Sequence, residues 1–298
     1  MSSLINNSDG PFTQPSVNQP NAQGGALKVG TPGNDKFLGT QRNDDLAGLD
    51  GDDSLGGAGG DDNIFGGGGE DFLSGDGGSD SGNGNAGNDN IFGGLGDDCL
   101  RGGKDNDQVN GGEGNDKLFG DRGSDTVSGG TGNDNMQGGE GEDLLEGGDG
   151  NDRVFGGKGN DTILGGAGAD VVSGDLGNDL LTGGEGADSF AFRRPDEGVD
   201  TITDFATGED KLVFFAPTFG LQGSGNLPGE LFTVKPNFNP NEGNVTETFI
   251  YDSANGLLYY NRAAAPGDET QIARFAPGTT VEATDIVISS AQSEFEFF

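Results

Sequence analysis

From Gly30 to Ala191 the chain is one nine-residue phrase written eighteen times, with no insertion or deletion. The unit reads G-G-x-G-x-D-x-U-x, with U apolar. Well-formed copies are GGEGNDKLF (Gly111 to Phe119), GGDGNDRVF (Gly147 to Phe155) and GGKGNDTIL (Gly156 to Leu164). Position one is Gly and position six is Asp in all eighteen units; position four is Gly in sixteen, the departures being Arg42 and Asp105. Position eight is apolar in seventeen and fails only at Gly82. A fixed period decides architecture before any local propensity does, because each unit buries its apolar residue only by stacking on its neighbours.

Each unit divides into a six-residue turn, GGxGxD, and a three-residue strand, xUx. Glycine tolerates positive φ, so a short loop can take conformations closed to other residues. It also leaves carbonyl oxygens uncovered, and those are good ligands for a hard cation such as calcium. Side chains alternate along a strand, so position eight points inward and the eighteen copies form one apolar stack. Two units should then make one coil of a flattened solenoid with a loop on each edge. Eighteen units give nine coils, about 43 Å long at ~4.8 Å between stacked strands. One edge carries Asp35, Asp53, Asp71, Asp89, Asp107, Asp125, Asp143, Asp161 and Asp179. The other carries Asp44, Asp62, Asp80, Asp98, Asp116, Asp134, Asp152, Asp170 and Asp188.

This pattern resembles the RTX family, the secreted hemolysin-type calcium-binding repeats, whose known signature is the same nonapeptide. The naming is recognition of that signature, and it covers 162 of the 298 residues. The resemblance implies an all-β fold, a parallel β-roll followed by a small β-rich cap. It also implies a calcium ion between each pair of stacked loops, held by Asp carboxylates and carbonyls from both. The eighteen Asp residues named above are thereby the candidate metal ligands. Nine loops per edge leave eight gaps, a ceiling of about sixteen ions, with fewer expected because end coils fray and Arg42 and Asp105 replace a glycine. The array holds 34 acidic against 8 basic residues, a net of −26 that sixteen Ca²⁺ would offset. Gly-rich acidic sequence is often plain linker, but strict periodicity with an apolar eighth position sets that reading aside. Without metal, such a composition is that of a disordered chain. Ions that bind only the ordered form supply the missing folding free energy, so the array is expected to fold conditionally.

The flanks are read more coarsely. Residues 1–29 are polar and expected to be a disordered tail. They show no basic start followed by an apolar run, hence no ordinary secretory signal. No stretch approaches the ~18 apolar residues of a membrane span. The RTX resemblance implies export by the type I secretion machinery, which reads a C-terminal signal, and a secreted or cell-surface location on a bacterium. The physics agrees with export, since modules tuned to extracellular calcium bind at ~10⁻⁴ to 10⁻³ M. The single Cys99 excludes an intrachain disulfide and reads as a small strand residue. Residues 192–298 are expected to be a β-rich cap that also carries the export signal. Its opening, DSFAFRRPDEGVDTITDFATGEDKLVF (Asp188 to Phe214), resembles the sequence that closes RTX arrays, and an exposed solenoid end needs such a cover. TFIYDSANGLLYYN (Thr248 to Asn261) reads as two strands around an Asn-Gly turn. QIARFAPG and TDIVISS suggest two more strands, and the terminal SEFEFF is compatible with a type I signal.

Catalysis finds little support. There is no His, which removes Ser-His-Asp and Cys-His nucleophiles, HExxH proteolysis and His-based zinc sites. GxGxxG-like matches in the array are by-products of its glycine period and lack the strand and helix of a dinucleotide site. A carboxylate site at Asp200, Asp204 and Asp210 is weighed, but turn and cap roles are preferred. The chain is therefore read as a non-enzyme. A net charge of −36 argues against nucleic acid and against direct docking on anionic lipid. Alternatives are a module that binds surface polysaccharide for adhesion, a delivery module for a separate activity, and an unrecognised hydrolase in the C-terminal segment.

Overall fold

A computed structural model describes residues 20–21, 23–240, 248–261 and 269–291. The expected export signal in SEFEFF and most of the N-terminal tail lie outside these residues. Among the described residues the strands form two sheets, of 13 and 14 strands, which take alternate strands of the chain as far as Lys211–Phe215. The first sheet begins Leu27–Val29, Asp45–Asp50, Asn63–Gly68; the second begins Lys36–Leu38, Ser54–Gly56, Phe72–Gly77. Through the array every neighbouring pair is parallel and in register at eighteen residues, as in Val109↔Val127 and Leu118↔Met136. The architecture is the expected all-β parallel solenoid with two units per coil.

The strands are longer than the three residues expected. Gln108–Glu113 and Lys117–Arg122, for example, run through positions seven, eight and nine and on through one, two and three of the next unit. The ladder steps over position one: Asn110 pairs Ser128 and Gly112 pairs Gly130, with Gly111 unpaired between them. The glycines thus bend a continuing strand and are not all turn. Position four shows why a side chain is excluded: Gly132 has φ +131°, and a Cβ there would collide with the Gly114 carbonyl one coil below.

Position-eight side chains from Leu46 to Phe190 form one stack, each at most 2% exposed, apart from Gly82, which offers no side chain. There, Ile91 and Leu100 close over the gap: a Cβ on Gly82 would stand 3.3 Å and 3.0 Å from their methyl groups.

Both flanks join the same sheets. Leu27–Val29, placed by sequence in a disordered tail, pairs in parallel with Asp45, Leu46 and Ala47. The tail boundary at residue 29 is corrected at that point: a strand laid over the first coil covers an otherwise open ladder. Beyond Ala191, Asp200–Ile202 pairs with Leu180–Glu185, and Lys211–Phe215 with Ser189–Phe192, both in parallel. The step has stretched, with Leu180 facing Thr201 and Ser189 facing Lys211. Glu269–Phe275 and Ile286–Ser289 then add a further parallel strand to each sheet. The expected hairpin is present as Phe249–Asp252 against Leu257–Asn261, with Gly256 at φ +66° in its turn. One apolar core runs from the array into this segment, where the thin aliphatic stack broadens into aromatic contacts such as Phe214–Phe249 (4.6 Å) and Phe219–Tyr260 (4.9 Å).

Candidate metal centre

The position-six Asp residues lie where each chain turn leaves for the next strand, stacked one above another on both edges. The backbone carbonyl of each accepts the position-seven N–H of the next coil, as Asp98 does from Lys117 at 2.8 Å. Their side chains are as regular. The N–H of Asp98 donates to Oδ1 of Asp116 at 2.8 Å, Asp116 to Asp134 at 2.8 Å, and Asp134 to Asp152 at 2.8 Å. On the other edge Asp107 donates to Asp125, and Asp125 to Asp143, both at 2.8 Å. Each carboxylate is thus anchored by one oxygen to the coil before it.

The second oxygen is left over. Among the described residues, fifteen of these aspartates, from Asp53 through Asp179 in steps of nine, bury an Oδ2 with no hydrogen-bond partner. That atom points at the bare Cα of position one and at a carbonyl from the next coil. A Cβ on Gly165 would stand 2.6 Å from Asp170 Oδ2 and 2.5 Å from the Gly183 carbonyl oxygen. Each gap therefore holds a space lined by carboxylate and carbonyl oxygens that only glycine keeps open. A buried unpaired carboxylate oxygen is costly, and so regular a row requires a common compensation. Burial pushes the Asp98, Asp125 and Asp134 carboxyls up to about 7 and Asp107 up to about 8. Like-charged neighbours one coil away add to the rise, and the backbone N–H bond opposes it only in part. No three acidic or Cys side chains converge on one point among the described residues. All-oxygen ligands spread over two coils, with carbonyls among them, suit calcium and not zinc. The donor set fits the ion.

The ends differ. Thr31 N–H (2.5 Å) and Oγ1 (3.0 Å) donate to Asp35 Oδ2, and the Thr40 N–H donates to Asp44 Oδ2. In the first coil the chain itself satisfies the oxygen that is orphaned elsewhere. At the other end the ladder runs past the last repeat, a feature the sequence reading missed. Asp179 donates to Asp200 Oδ1 (3.2 Å) and Asp188 to Asp210 Oδ1 (3.0 Å). The signal was present as G-x-D-x-U, keeping the position-four glycine and lacking the paired glycines before it, in Gly198-Val199-Asp200-Thr201-Ile202 and Gly208-Glu209-Asp210-Lys211-Leu212. Asp210 Oδ2 accepts the Ala206 N–H at 2.7 Å, closing that edge much as Thr40 does at the start. Asp204 receives the N–H groups of Gly183 and Gly184 at 3.0 and 2.8 Å. The three carboxylates weighed as a catalytic cluster each have a separate structural engagement.

Sheets, ladder and glycine-lined gaps together define a repeat solenoid with two oxygen-rich edges. The chain belongs to the family described as RTX calcium-binding nonapeptide repeat (4 copies): eight overlapping matches to its model, from 29–64 to 155–190, together span residues 29–190. No curated protein matches. Among solved structures, the chain is similar to the AlgE6R3 subunit of the Azotobacter vinelandii mannuronan C5-epimerase, at 21% identity and TM-score 0.23 over 67% of this chain and 81% of that one. It is also similar to the extracellular lipase LipA from Serratia marcescens, at 16% identity and TM-score 0.22 over 88% of this chain and 40% of that one. At these scores the likeness carries nothing about activity.

Proposed function

We propose that this chain is a secreted or cell-surface calcium-binding protein whose array becomes ordered when ions enter the gaps between stacked loops, and that it is not an enzyme. The row of fifteen buried, unpartnered Oδ2 atoms carries this reading. Calcium supplies positive charge and a flexible shell of six to eight oxygens. The protein supplies one Oδ2 from each loop, with Oδ1 anchored, and the uncovered position-one carbonyls. Asp53 through Asp179 are the ligands, and Asp35 and Asp44 serve as end pieces held by threonine. Asp188 joins them to the extended ladder at Asp210. The division into a tail, an array over 30–191 and a cap over 192–298 is kept as a functional proposal, with the tail ending before Leu27 and the cap sharing the array's core. Release through the type I machinery is what membership of the family implies, and the same energetics are compatible with it. A chain that lacks calcium inside the cell stays unfolded enough for a narrow conduit and gains order outside. Far-UV circular dichroism from EGTA into millimolar calcium, with magnesium as control, tests the proposal. A transition to β-structure with calcium alone is expected, and a chain already β-structured in EGTA would overturn it.

A further inference from the structure

The two sheets carry different surfaces. In the first sheet, Cys99–Lys104, Lys117–Arg122, Asn135–Glu140 and Arg153–Lys158 carry six cations, Arg101, Lys104, Lys117, Arg122, Arg153 and Lys158, against two acids, Asp121 and Glu140. The four strands interleaved with them in the second sheet, Gln108–Glu113, Thr126–Thr131, Leu144–Asp149 and Thr162–Ala167, carry no Lys or Arg and three acids, Glu113, Glu146 and Asp149. Every base between Cys99 and Ala167 thus lies on one sheet.

Apolar exposure divides the other way. Among the described residues all eight exposed large hydrophobic side chains, from Leu38 to Val234, belong to strands of the second sheet. Phe72 and Phe92 sit on neighbouring strands with ring centres 5.4 Å apart, and Leu95, on the same strand as Phe92, is 55% exposed. Leu144, Leu164 and Leu180 follow on three successive strands of that sheet. Rings of the first sheet are covered instead: the Arg101 guanidinium lies 4.6 Å from the Phe119 ring centre, and that of Arg193 lies 4.9 Å from the ring centre of Phe155. Single exposed apolar side chains are ordinary, but a sheet that collects all of them marks an interaction surface.

We propose that the second-sheet face docks on the first-sheet face of another copy of this chain, so that folded arrays stack front to back. Two second-sheet faces together would set acid against acid, and two first-sheet faces base against base. The unlike pair alone sets Lys104, Lys117 and Arg153 against Glu113, Glu146 and Asp149. It also covers the bare leucines and phenylalanines, to which the aliphatic stems of Lys and Arg offer apolar contact. Both faces are parallel ladders stepped at eighteen residues, so their spacings match. Strands of six residues and nine coils give each face about 20 Å by about 43 Å. That area meets the roughly 800 Å² per partner of an interface of ordinary size. Such a contact uses different surfaces on its two sides and leaves one of each free, so copies keep adding unless the rotation closes a ring. The proposal needs only the folded array and is independent of export.

Sedimentation velocity of the full chain in saturating calcium, over a range of concentration and salt, tests it. Species larger than a dimer are expected to grow with concentration and to recede as salt rises. Lys104→Glu with Lys117→Glu, on the front, and Leu95→Lys with Leu144→Lys, on the back, should each associate at least about tenfold more weakly than the wild type. Mixed together, the two variants should form a 1:1 complex that grows no further, because each contributes its one intact face. Circular dichroism in calcium checks that each protein is folded; if the leucine variant is not, Glu113→Lys with Glu146→Lys blocks the back face in its place. Association that survives the front variant would mean that second-sheet faces meet through calcium, and would overturn the proposal. So would a closed dimer, or a mixture of the two variants that stays monomeric. A wild-type chain that folds in calcium yet remains a monomer overturns the stacking alone, whereas one that stays unfolded in calcium overturns the metal proposal with it.

Discussion

A position-six aspartate does two jobs with two oxygens, and an amide separates them. In Asp134→Asn the Oδ1 can still accept the Asp116 N–H, while the orphaned oxygen becomes an NH₂ and the charge is gone. The substitution is expected to ease the metal-free state and weaken the loaded one. The calcium midpoint should rise, by up to about tenfold given how ligand charge tunes such sites, and about two fewer ions should bind because the residue borders two gaps. Equilibrium dialysis and circular dichroism read both effects; unchanged stoichiometry would remove Asp134 from the ligand set. Acid should act in the same direction on the whole metal-free row. Their carboxyls are raised, to about 6 at Asp80 and Asp143, about 7 at Asp125 and about 8 at Asp107, against 3.8 for the ordinary group. A raised folded value means the folded form holds its protons more tightly. The resulting stability is complete below about pH 4 and is lost as pH rises through 6 to 8. In metal-stripped buffer the chain is therefore expected to be more ordered at pH 5 than at pH 8, with calcium uptake at neutral pH releasing protons. Identical spectra at the two pH values would contradict it.

At the scale of a strand, stability rests on a core one side chain wide. Leu118 is fully buried between Leu100 and Met136 in the same ladder, so Leu118→Ala opens a void with few neighbours able to fill it. It should cost about 2–5 kcal/mol in calcium, measured by urea unfolding. A loss well under 1 kcal/mol would mean that metal, and not the stack, carries the coil. The stack, the coil of two units and the two rows of Asp were legible because they follow from a strict period and strand alternation. Strand length was not. Gly at positions one and two reads as turn, and only the stacked neighbour coil shows that the ladder skips Gly111 and resumes at Gly112. The continuation at Asp200 and Asp210 was hidden for a related reason. The steps there lengthen to 21 and 22 residues, so a search at period nine stops while D-x-U persists. The charged faces lay in plain view at period eighteen but needed the coil before odd and even units could be told apart.

Across the whole molecule, the pairing at eighteen residues makes parity a property of the chain. Removing both units of one coil, residues 129–146, shortens the roll by ~4.8 Å and leaves every later residue on its own sheet. Removing a single unit, 129–137, leaves the repeat equally regular yet moves each later strand across to the opposite sheet. Arg153 and Lys158 would then sit on the acidic side, and Asp200–Ile202, which carries the second sheet on past the array, would be offered to the first. The eighteen-residue deletion is expected to keep its calcium-driven transition, while the nine-residue deletion, though smaller, should show a higher calcium midpoint and lower urea resistance. Equal behaviour would mean that the two faces are interchangeable. A repeat of nine is thus inherited by twos: the array can lengthen or shorten freely in steps of one coil, while half a coil exchanges front for back along everything downstream.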